Sequence, residues 1–276
     1  MNEAEDITKK SNSNLAFAFI CLPKQRRADM VTLYAFCRIV DDLADSPDLP
    51  AEEKISGLAE WRACFTDTPP ASPSQLQRAT LQLRDRYRID NQHFLELIDG
   101  CASDLEPSRR FDNWQQLEQY TYQVACCVGL ISIKIFGCTS PISEKYAVSL
   151  GHALQLTNIL RDVGEDLDDN RRVYLPLADM EKFGYSEQDL IAKTYDQRFI
   201  DMMKHIANRA EKFYSEAVAS LPAEDKKALR SSEAMRKIYH AILKKMQADK
   251  FQVFHQRYTL SKPRKAWLLL SSLLGF

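Results

Sequence analysis

The stretch from Leu154 to Pro176, LQLTNILRDVGEDLDDNRRVYLP, constrains the fold of this chain more than any other. In a helix, side chains three or four positions apart share one face. Four polar side chains in this stretch follow that spacing: Gln155, Asn158, Asp162 and Asp166. Leucine, isoleucine and valine fill half of the positions between them and can be buried. The pattern therefore predicts an amphipathic helix with a narrow stripe of amides and carboxylates.

This stripe is rich in oxygen ligands and contains no thiol. Mg²⁺ is usually held by one or two carboxylates together with the phosphate groups of a substrate, so the stripe is consistent with a magnesium-diphosphate site. The alternative is that the acids simply face water, where a like-charged pair one turn apart costs only about 0.2–0.5 kcal/mol. This helix alone favours neither interpretation.

A second acidic helix, predicted over residues 28–45, favours the magnesium-diphosphate interpretation. Its sequence is ADMVTLYAFCRIVDDLAD, in which Arg38, then Asp41 or Asp42, then Asp45 recur at spacings of three and four. If the two helices faced each other at about 6 Å, each cross-pair of carboxylates would repel by about 3 kcal/mol at an effective dielectric constant of 20. Bridging cations would relieve that repulsion. Together the two helices predict a magnesium-diphosphate site.

Composition narrows the fold class. The chain has 276 residues with only 8 glycines and 11 prolines, and alternating β-branched runs are rare. These features favour one large helical domain, although the length also permits two domains. No two glycines are spaced as in a GxGxxG fingerprint, which excludes a Rossmann domain but not NADPH bound in another way. The formal net charge of −1 gives no electrostatic reason to expect a nucleic-acid partner.

The ends of the chain and its cysteines bear on localisation. The first ten residues, MNEAEDITKK, are charged and polar, so no signal peptide is expected. No apolar run is long enough to span a bilayer. Seven cysteines in mainly apolar stretches are typical of reduced thiols in a cytoplasmic protein. The tail at 262–276, KPRKAWLLLSSLLGF, has the composition of an interfacial helix, but packing onto the domain explains its leucines equally well.

The two acidic runs and the segments around them resemble the squalene/phytoene synthases. That family carries a DDxxD-type run and a DxxED-type run on opposed helices. Here the first run is DDLAD at 41–45, preceded by YAFCRIV, and the second is DVGED at 162–166, preceded by QLTNILR. The resemblance covers nearly the whole chain. It implies an all-α, single-domain helical bundle of the isoprenoid synthase type over residues 1–276, built around a central cavity.

The resemblance also implies roles for individual residues. A helix predicted over 114–136 contains the family pattern Tyr-x-x-x-Val-Ala-x-x-Val-Gly. The implied catalytic residues are Arg38, Asp41, Asp45, Tyr120, Asp162 and Asp166. The implied Mg²⁺ ligands are Asp41, Asp45, Asn158, Asp162 and Asp166. The implied substrate-binding residues are Ser11, Phe17, Arg38, Val128, Gly129, Gln155, Asn158, Arg171, Arg172 and Tyr174.

Three positions depart from the family pattern or leave their role open. Ser11 stands where some members carry histidine. The chain is one residue longer between Asp166 and the RVYLP segment, which leaves the basic role there open between Arg171 and Arg172. Asp104 matches an acidic position of the family, but a helix C-terminus also explains it.

The implied activity is Mg²⁺-dependent head-to-head condensation of two prenyl diphosphates, farnesyl or geranylgeranyl, through a cyclopropylcarbinyl diphosphate. The product would be a squalene-type or phytoene-type precursor, and NADPH is a conceivable cofactor that the sequence does not indicate. Two alternatives remain: a head-to-tail prenyl diphosphate synthase, and a non-catalytic, membrane-associated scaffold of the same fold. The implied localisation is cytoplasmic, either free or peripheral to the inner face of the membrane.

Overall fold

Amphipathic segments separated by short turns make the described chain a set of packed helices. The computed structural model describes residues 22–46, 48–66, 70–106, 109–170 and 172–274. The helices are α1 Lys24–Asp45, α2 Ala51–Ala63, α3 Gln75–Tyr87, α4 Asn91–Ala102, α5 Trp114–Thr121, α6 Cys127–Phe136, α7 Ile142–Asn170, α8 Leu177–Lys182, α9 Glu187–Ile191, α10 Gln197–Ala219, α11 Arg230–Ala248 and α12 Lys262–Leu274. Within these ranges, extended pairing is confined to an isolated parallel bridge between Arg110 and Val173. The all-α prediction is confirmed.

Three residues that the resemblance assigns to substrate binding, Ser11, Phe17 and Arg171, lie outside the described residues.

Helix α7 is the central element of the bundle. It packs against α6, α10 and α11. Its apolar positions are buried, among them Leu156, Leu160 and Val163, and its polar stripe stays partly exposed. This is the arrangement that the helical periodicity predicts.

The start of α7 is held by a distant carboxylate. Asp225 lies between α10 and α11 and accepts hydrogen bonds from the backbone N–H groups of Thr139 and Ser140 at 2.9–3.0 Å. It also accepts one from the Ser143 hydroxyl at 2.7 Å. An acceptor at this point satisfies two N–H groups of the turn just before α7. The contact also fixes the position of α7 relative to the α10–α11 corner.

The helix predicted over residues 114–136 is confirmed, but it contains one turn of a different type. A π-helical turn, Tyr122–Cys126, separates α5 from α6. Two glycines of neighbouring helices lie directly against this turn. A Cβ at Gly100 would lie 2.8 Å from the side chains of Gln123 and Val124, and one at Gly151 would lie 2.7 Å from the Cα of Cys126. Both glycines thus allow their helices to approach the π turn closely.

The C-terminal helix α12 packs on α11. It buries Leu268 and Leu269 but leaves Trp267 and Leu270 in solvent, 65% and 55% exposed. Of the helices in the described ranges, none combines the length and the apolar character needed to cross a bilayer.

The close approach at Gly151 yields a stability prediction. Gly151→Ala places a methyl group against the Cys126 backbone, which cannot move aside as a side-chain end can, and we expect a loss of about 1–3 kcal/mol. The matched control is Gly57→Ala, whose added methyl meets only the flexible end of Leu43. We expect that control to change stability by less than about 1 kcal/mol. Urea titrations monitored by circular dichroism measure both, and equal midpoints would contradict the close approach.

Candidate active site

An apolar cavity of about 260 Å³ lies between α1, the π turn, α6, α7 and α11. Its walls are mainly hydrocarbon. Representative lining residues are Leu33, Val128, Ile133, Leu150 and Met235. Such a space suits a long apolar ligand whose polar group lies at one end.

Both acidic runs lie at the same end of this cavity. Cys37, one turn before Asp41, lines the cavity from α1. Asn158, one turn before Asp162, lines it from α7. Since successive turns of a helix are 5.4 Å apart, the two runs continue the cavity walls outward at its mouth. The fold thus brings together two acidic runs that lie more than a hundred residues apart in the sequence.

The first acidic run is bound by two arginines. Arg38 pairs with Asp41 at 3.2 Å and with Asp42 at 2.6 Å, on the surface of α1. Arg172, which follows the second run, reaches across and binds an oxygen of Asp45 at 2.7 Å. This last contact joins the first run to the segment that follows the second. Of the three aspartates in the first run, Asp45 is therefore the one that faces the segment after α7.

In the second run, Asp162 is bound by arginines. Arg161 binds both oxygens of the Asp162 carboxylate, at 2.7 and 2.5 Å. Arg257, from the segment between α11 and α12, approaches Asp162 at 3.6 Å and Glu165 at 3.2 Å. The sequence pattern did not identify either arginine. Arg161 is adjacent to Asp162 but off the polar stripe, and Arg257 lies far along the chain in a segment with no recognisable motif.

Asp104 is the centre of a hydrogen-bonded group between the two runs. Its carboxylate accepts a hydrogen bond from the Tyr120 hydroxyl at 2.8 Å and another from Tyr174 at 3.3 Å. Its backbone carbonyl accepts one from Arg172 at 3.2 Å. The rings of Tyr120 and Tyr174 lie 5.4 Å apart and both contact Phe111. Asp104 is therefore more than a helix end, since it gathers the tyrosines and the arginine that the resemblance singles out.

Crowding of these carboxylates changes their proton affinity. Partial loss of contact with water and the charge of Asp45 raise the pKa of Asp41, whose side chain is still 48% exposed, to about 7. Loss of contact with water and the charge of Asp162 raise the pKa of Asp166 to about 8. Loss of contact with water raises the pKa of Asp104 to about 6, with the Tyr120 hydrogen bond and Arg172 acting in the opposite direction. The site thus has more negative charge than its arginines balance.

The donor set fits Mg²⁺. No three His, Cys, Asp or Glu side chains within the described ranges converge closely enough to hold an ion by themselves. Mg²⁺ does not require that, because it takes one or two carboxylates and completes its shell with water and substrate phosphates. The buried amide oxygen of Asn158 has no hydrogen-bond partner, and the raised pKa values of Asp41 and Asp166 show the same need for positive charge.

The cavity wall contains further residues that the resemblance predicts to bind substrate. Val128, Gly129, Gln155 and Asn158 all line it. The Gln155 side chain accepts a hydrogen bond from the Asn158 amide at 3.3 Å, which leaves the Asn158 oxygen available. Their assignment to substrate binding stays a prediction.

Comparisons with known proteins agree with this geometry. The family model for squalene/phytoene synthase matches residues 8–264. The chain is 31% identical to a 15-cis-phytoene synthase of Synechocystis sp., over 97% of this chain and 86% of that protein. It is also 31% identical to a presqualene diphosphate synthase of Zymomonas mobilis, over 96% of this chain and 90% of that protein.

A solved structure gives the same result. The crystal structure of a dehydrosqualene synthase in complex with ligand superposes with a TM-score of 0.83 at 28% identity, covering 99% of this chain and 96% of that one. The match therefore extends over the acidic runs, the cavity helices and α12. The chain belongs to the squalene/phytoene synthase family of prenyltransferases.

Proposed function

We propose that this prenyltransferase joins two prenyl diphosphates head to head through a cyclopropylcarbinyl diphosphate, with Mg²⁺ as its metal. The observation that carries the proposal is the placement of two acidic runs at the mouth of one apolar cavity. The names of the curated relatives, phytoene synthase and presqualene diphosphate synthase, support the same reaction.

The residues that would hold Mg²⁺ are Asp41 and Asp45 on α1 and Asn158, Asp162 and Asp166 on α7. When bound, Mg²⁺ stabilises the negative charge that develops on a departing diphosphate. Arg172 lies between the two runs, where its guanidinium can bind the same leaving group. Arg38 lies at the outer edge of the first run and can receive the second diphosphate.

The tyrosines and the cavity walls have different tasks. Asp104 accepts from both hydroxyls and so holds Tyr120 and Tyr174 in a fixed orientation at the mouth. Oriented O–H groups stabilise developing negative charge without having to reorganise during the reaction. Beyond them, the apolar walls exclude water, which would otherwise capture an allylic cation. Ionisation and carbon–carbon bond formation thus take place in adjoining polar and apolar regions.

Removal of one carboxylate tests the role of the acidic runs. Asp166→Asn keeps the shape of the side chain but removes a charge that would bind Mg²⁺, and we expect diphosphate release from farnesyl or geranylgeranyl diphosphate to fall at least about 100-fold. The matched control is Asp168→Asn on the same helix, whose carboxylate is exposed and pairs with Lys193. A phosphate-release assay with added Mg²⁺ measures both variants.

Three outcomes of this assay are informative. Unchanged turnover in Asp166→Asn would remove this residue from the mechanism. Absence of turnover in the unaltered chain would favour the non-catalytic scaffold instead. Lipid extraction with and without NADPH then shows whether the reaction stops at the cyclopropylcarbinyl diphosphate or continues to a reduced hydrocarbon.

The raised pKa values predict how stability depends on pH. Unfolded Asp side chains release their protons near pH 4, whereas Asp41 and Asp166 keep theirs to about 7 and 8 in the folded state. The folded protein therefore binds more protons between these values, and the free energy of unfolding falls as pH rises from about 4 to 8. We expect the melting temperature of the metal-free protein to be several degrees lower at pH 8.5 than at pH 6.

Both Mg²⁺ and the substitution Asp166→Asn should reduce this loss of stability at high pH. Mg²⁺ with inorganic diphosphate should raise the melting temperature more at pH 8.5 than at pH 6, because protons compete with the metal at the lower pH. Asp166→Asn should weaken the pH dependence of the metal-free protein and reduce the gain from Mg²⁺. Differential scanning fluorimetry measures the melting temperature at both pH values, with and without Mg²⁺ and diphosphate. An effect of Mg²⁺ that does not depend on pH would contradict the assignment of these carboxylates as Mg²⁺ ligands.

We further propose that α12 holds the protein at the inner face of the membrane. Trp267 and Leu270 lie one turn apart on the outer face of α12. Lys262, Arg264 and Lys265 precede them, and the helix contains no acidic residue. Apolar and basic side chains in this order favour an anionic membrane surface.

Vesicle binding tests this contact. The double variant Trp267→Ser and Leu270→Ser should reduce co-sedimentation with anionic vesicles severalfold, and added salt should weaken binding of the unaltered chain. The matched control is Ile55→Ser, which replaces an equally exposed apolar residue (58% exposed) on α2. Equal sedimentation of the double variant and the control would refute the contact.

A further inference from the structure

Arg109 lies beside the hydrogen-bonded group centred on Asp104, in the segment between α4 and α5. Its guanidinium lies over the ring of Phe111, with 4.9 Å between Cζ and the ring centroid, and over the ring of Tyr120, at 5.8 Å. A guanidinium within about 6 Å of an aromatic ring centroid is attracted to the face of that ring. Arg109 therefore contacts the ring whose hydroxyl donates a hydrogen bond to Asp104.

Arg109 also holds the short turn that carries Asp104. Its Nη1 donates a hydrogen bond to the backbone carbonyl of Ser103 at 3.0 Å. Arg172 donates one to the next carbonyl, that of Asp104 itself, at 3.2 Å. Two arginines thus bind consecutive carbonyl groups of the 3₁₀ turn Ser103–Leu105. Since the Asp104 carboxylate is attached to this turn, both arginines help to set its position.

The ion pair that Arg109 forms does not by itself account for a shielded cation here. Among the described residues, its carboxylate partner is Glu106 at 3.5 Å, and that side chain is 71% exposed, so the pair contributes little. The Arg109 side chain is only 20% exposed, and its buried Nε has no hydrogen-bond partner within the same ranges. Loss of contact with water raises the pKa of Asp104, and the Tyr120 hydrogen bond and the charges of Arg172 and Arg109 oppose that rise. The charge of Arg109 thus helps to keep Asp104 ionised.

The two arginines differ in their contacts with the acidic runs. Arg172 binds Asp45, where the proposed reaction brings its guanidinium to a diphosphate. Within the described ranges, Arg109 forms no ion pair with either run, and its contacts are to the turn and the rings. Arg109 can therefore keep these contacts when Arg172 moves to phosphate oxygens.

We infer that Arg109 is a positioning residue, which keeps the Asp104 carboxylate and the Tyr120 hydroxyl aligned at the mouth while Arg172 binds the leaving diphosphate. The inference rests on the proposed function, because it concerns the orientation of a hydroxyl that this function uses. Since Arg109 acts through the tyrosine and not on the substrate, its removal should lower kcat and leave KM unchanged.

Substitution of Arg109 tests the inference. Arg109→Met keeps an unbranched side chain but removes the charge and the hydrogen bond to Ser103. We expect kcat for diphosphate release to fall about 10- to 100-fold, because a misaligned donor stabilises the leaving group poorly, while KM changes by less than about twofold. Arg109→Lys keeps a cation near the rings and should recover most of the lost activity.

The matched control removes a similar cation from the same helix. Arg209 on α10 lies over Trp114, the first residue of α5, with 4.2 Å between Cζ and the ring centroid, and its Nε is also buried without a partner in the described ranges. Arg209→Met should keep kcat and KM within about twofold of the unaltered chain, because Trp114 lies more than one helical turn before Tyr120. An equal fall of kcat in this control would indicate a general effect on α5 and would overturn the inference.

A double-mutant cycle separates positioning from packing. Tyr120→Phe removes the hydroxyl through which Arg109 is inferred to act. Adding Arg109→Met to Tyr120→Phe should therefore lower kcat further by less than about twofold. A packing role would instead lower kcat by the same factor in both backgrounds. Arg109→Gln, which keeps a donor for the Ser103 carbonyl, replaces Arg109→Met if that variant does not fold.

The possible failures are distinguishable. Unchanged kcat in a folded Arg109→Met or Arg109→Gln variant, a change confined to KM, or equal factors in the two backgrounds overturns the inference while the head-to-head function stands. Unchanged kcat in Tyr120→Phe removes the hydroxyl from the mechanism and overturns the inference with it. Absence of diphosphate release from farnesyl and geranylgeranyl diphosphate by the unaltered chain overturns the proposed function, and again the inference with it.

Discussion

Repulsion among carboxylates at one mouth of the bundle is the constraint on which the site depends. Asp41, Asp104 and Asp166 all have raised pKa values, first because loss of contact with water and then because neighbouring acids disfavour their ionised forms. The packing of α1 and α7 around the shared cavity brings these charges together. Burial of apolar surface along both helices stabilises that packing, so the core compensates for the strain at the mouth.

Four arginines reduce that strain without removing it. Arg38 and Arg172 bind the first run, whereas Arg161 and Arg257 bind the second. Because the carboxylate pKa values remain raised, negative charge at the mouth is not fully balanced. A diphosphate brings more negative charge, so metal and substrate are expected to enter the site together. In the proposed reaction, we expect the arginines to exchange carboxylate partners for phosphate oxygens, which have similar geometry for bidentate binding.

Periodicity predicted the helices well and side-chain partners poorly. The spacing of three and four residues correctly placed the polar stripe of α7 and buried its leucines, because one helix face repeats every 3.6 residues. It did not predict the π turn at Tyr122–Cys126, which lies against two glycines from α4 and α7. Nor did it identify Arg257, because a contact between residues 162 and 257 depends on how separate helices pack.

By itself, the sequence determined the class of fold, the two acid-bearing helices and the family, because each depends on local spacing or on an extended motif. Only the tertiary structure decided that Asp104 gathers Tyr120, Tyr174 and Arg172, and that Asp162 faces two arginines. It also decided that Tyr146 of α7 donates a hydrogen bond to Glu233 of α11, which Arg236 binds in turn. Such contacts join residues far apart in the chain, and no local pattern encodes the packing that brings them together.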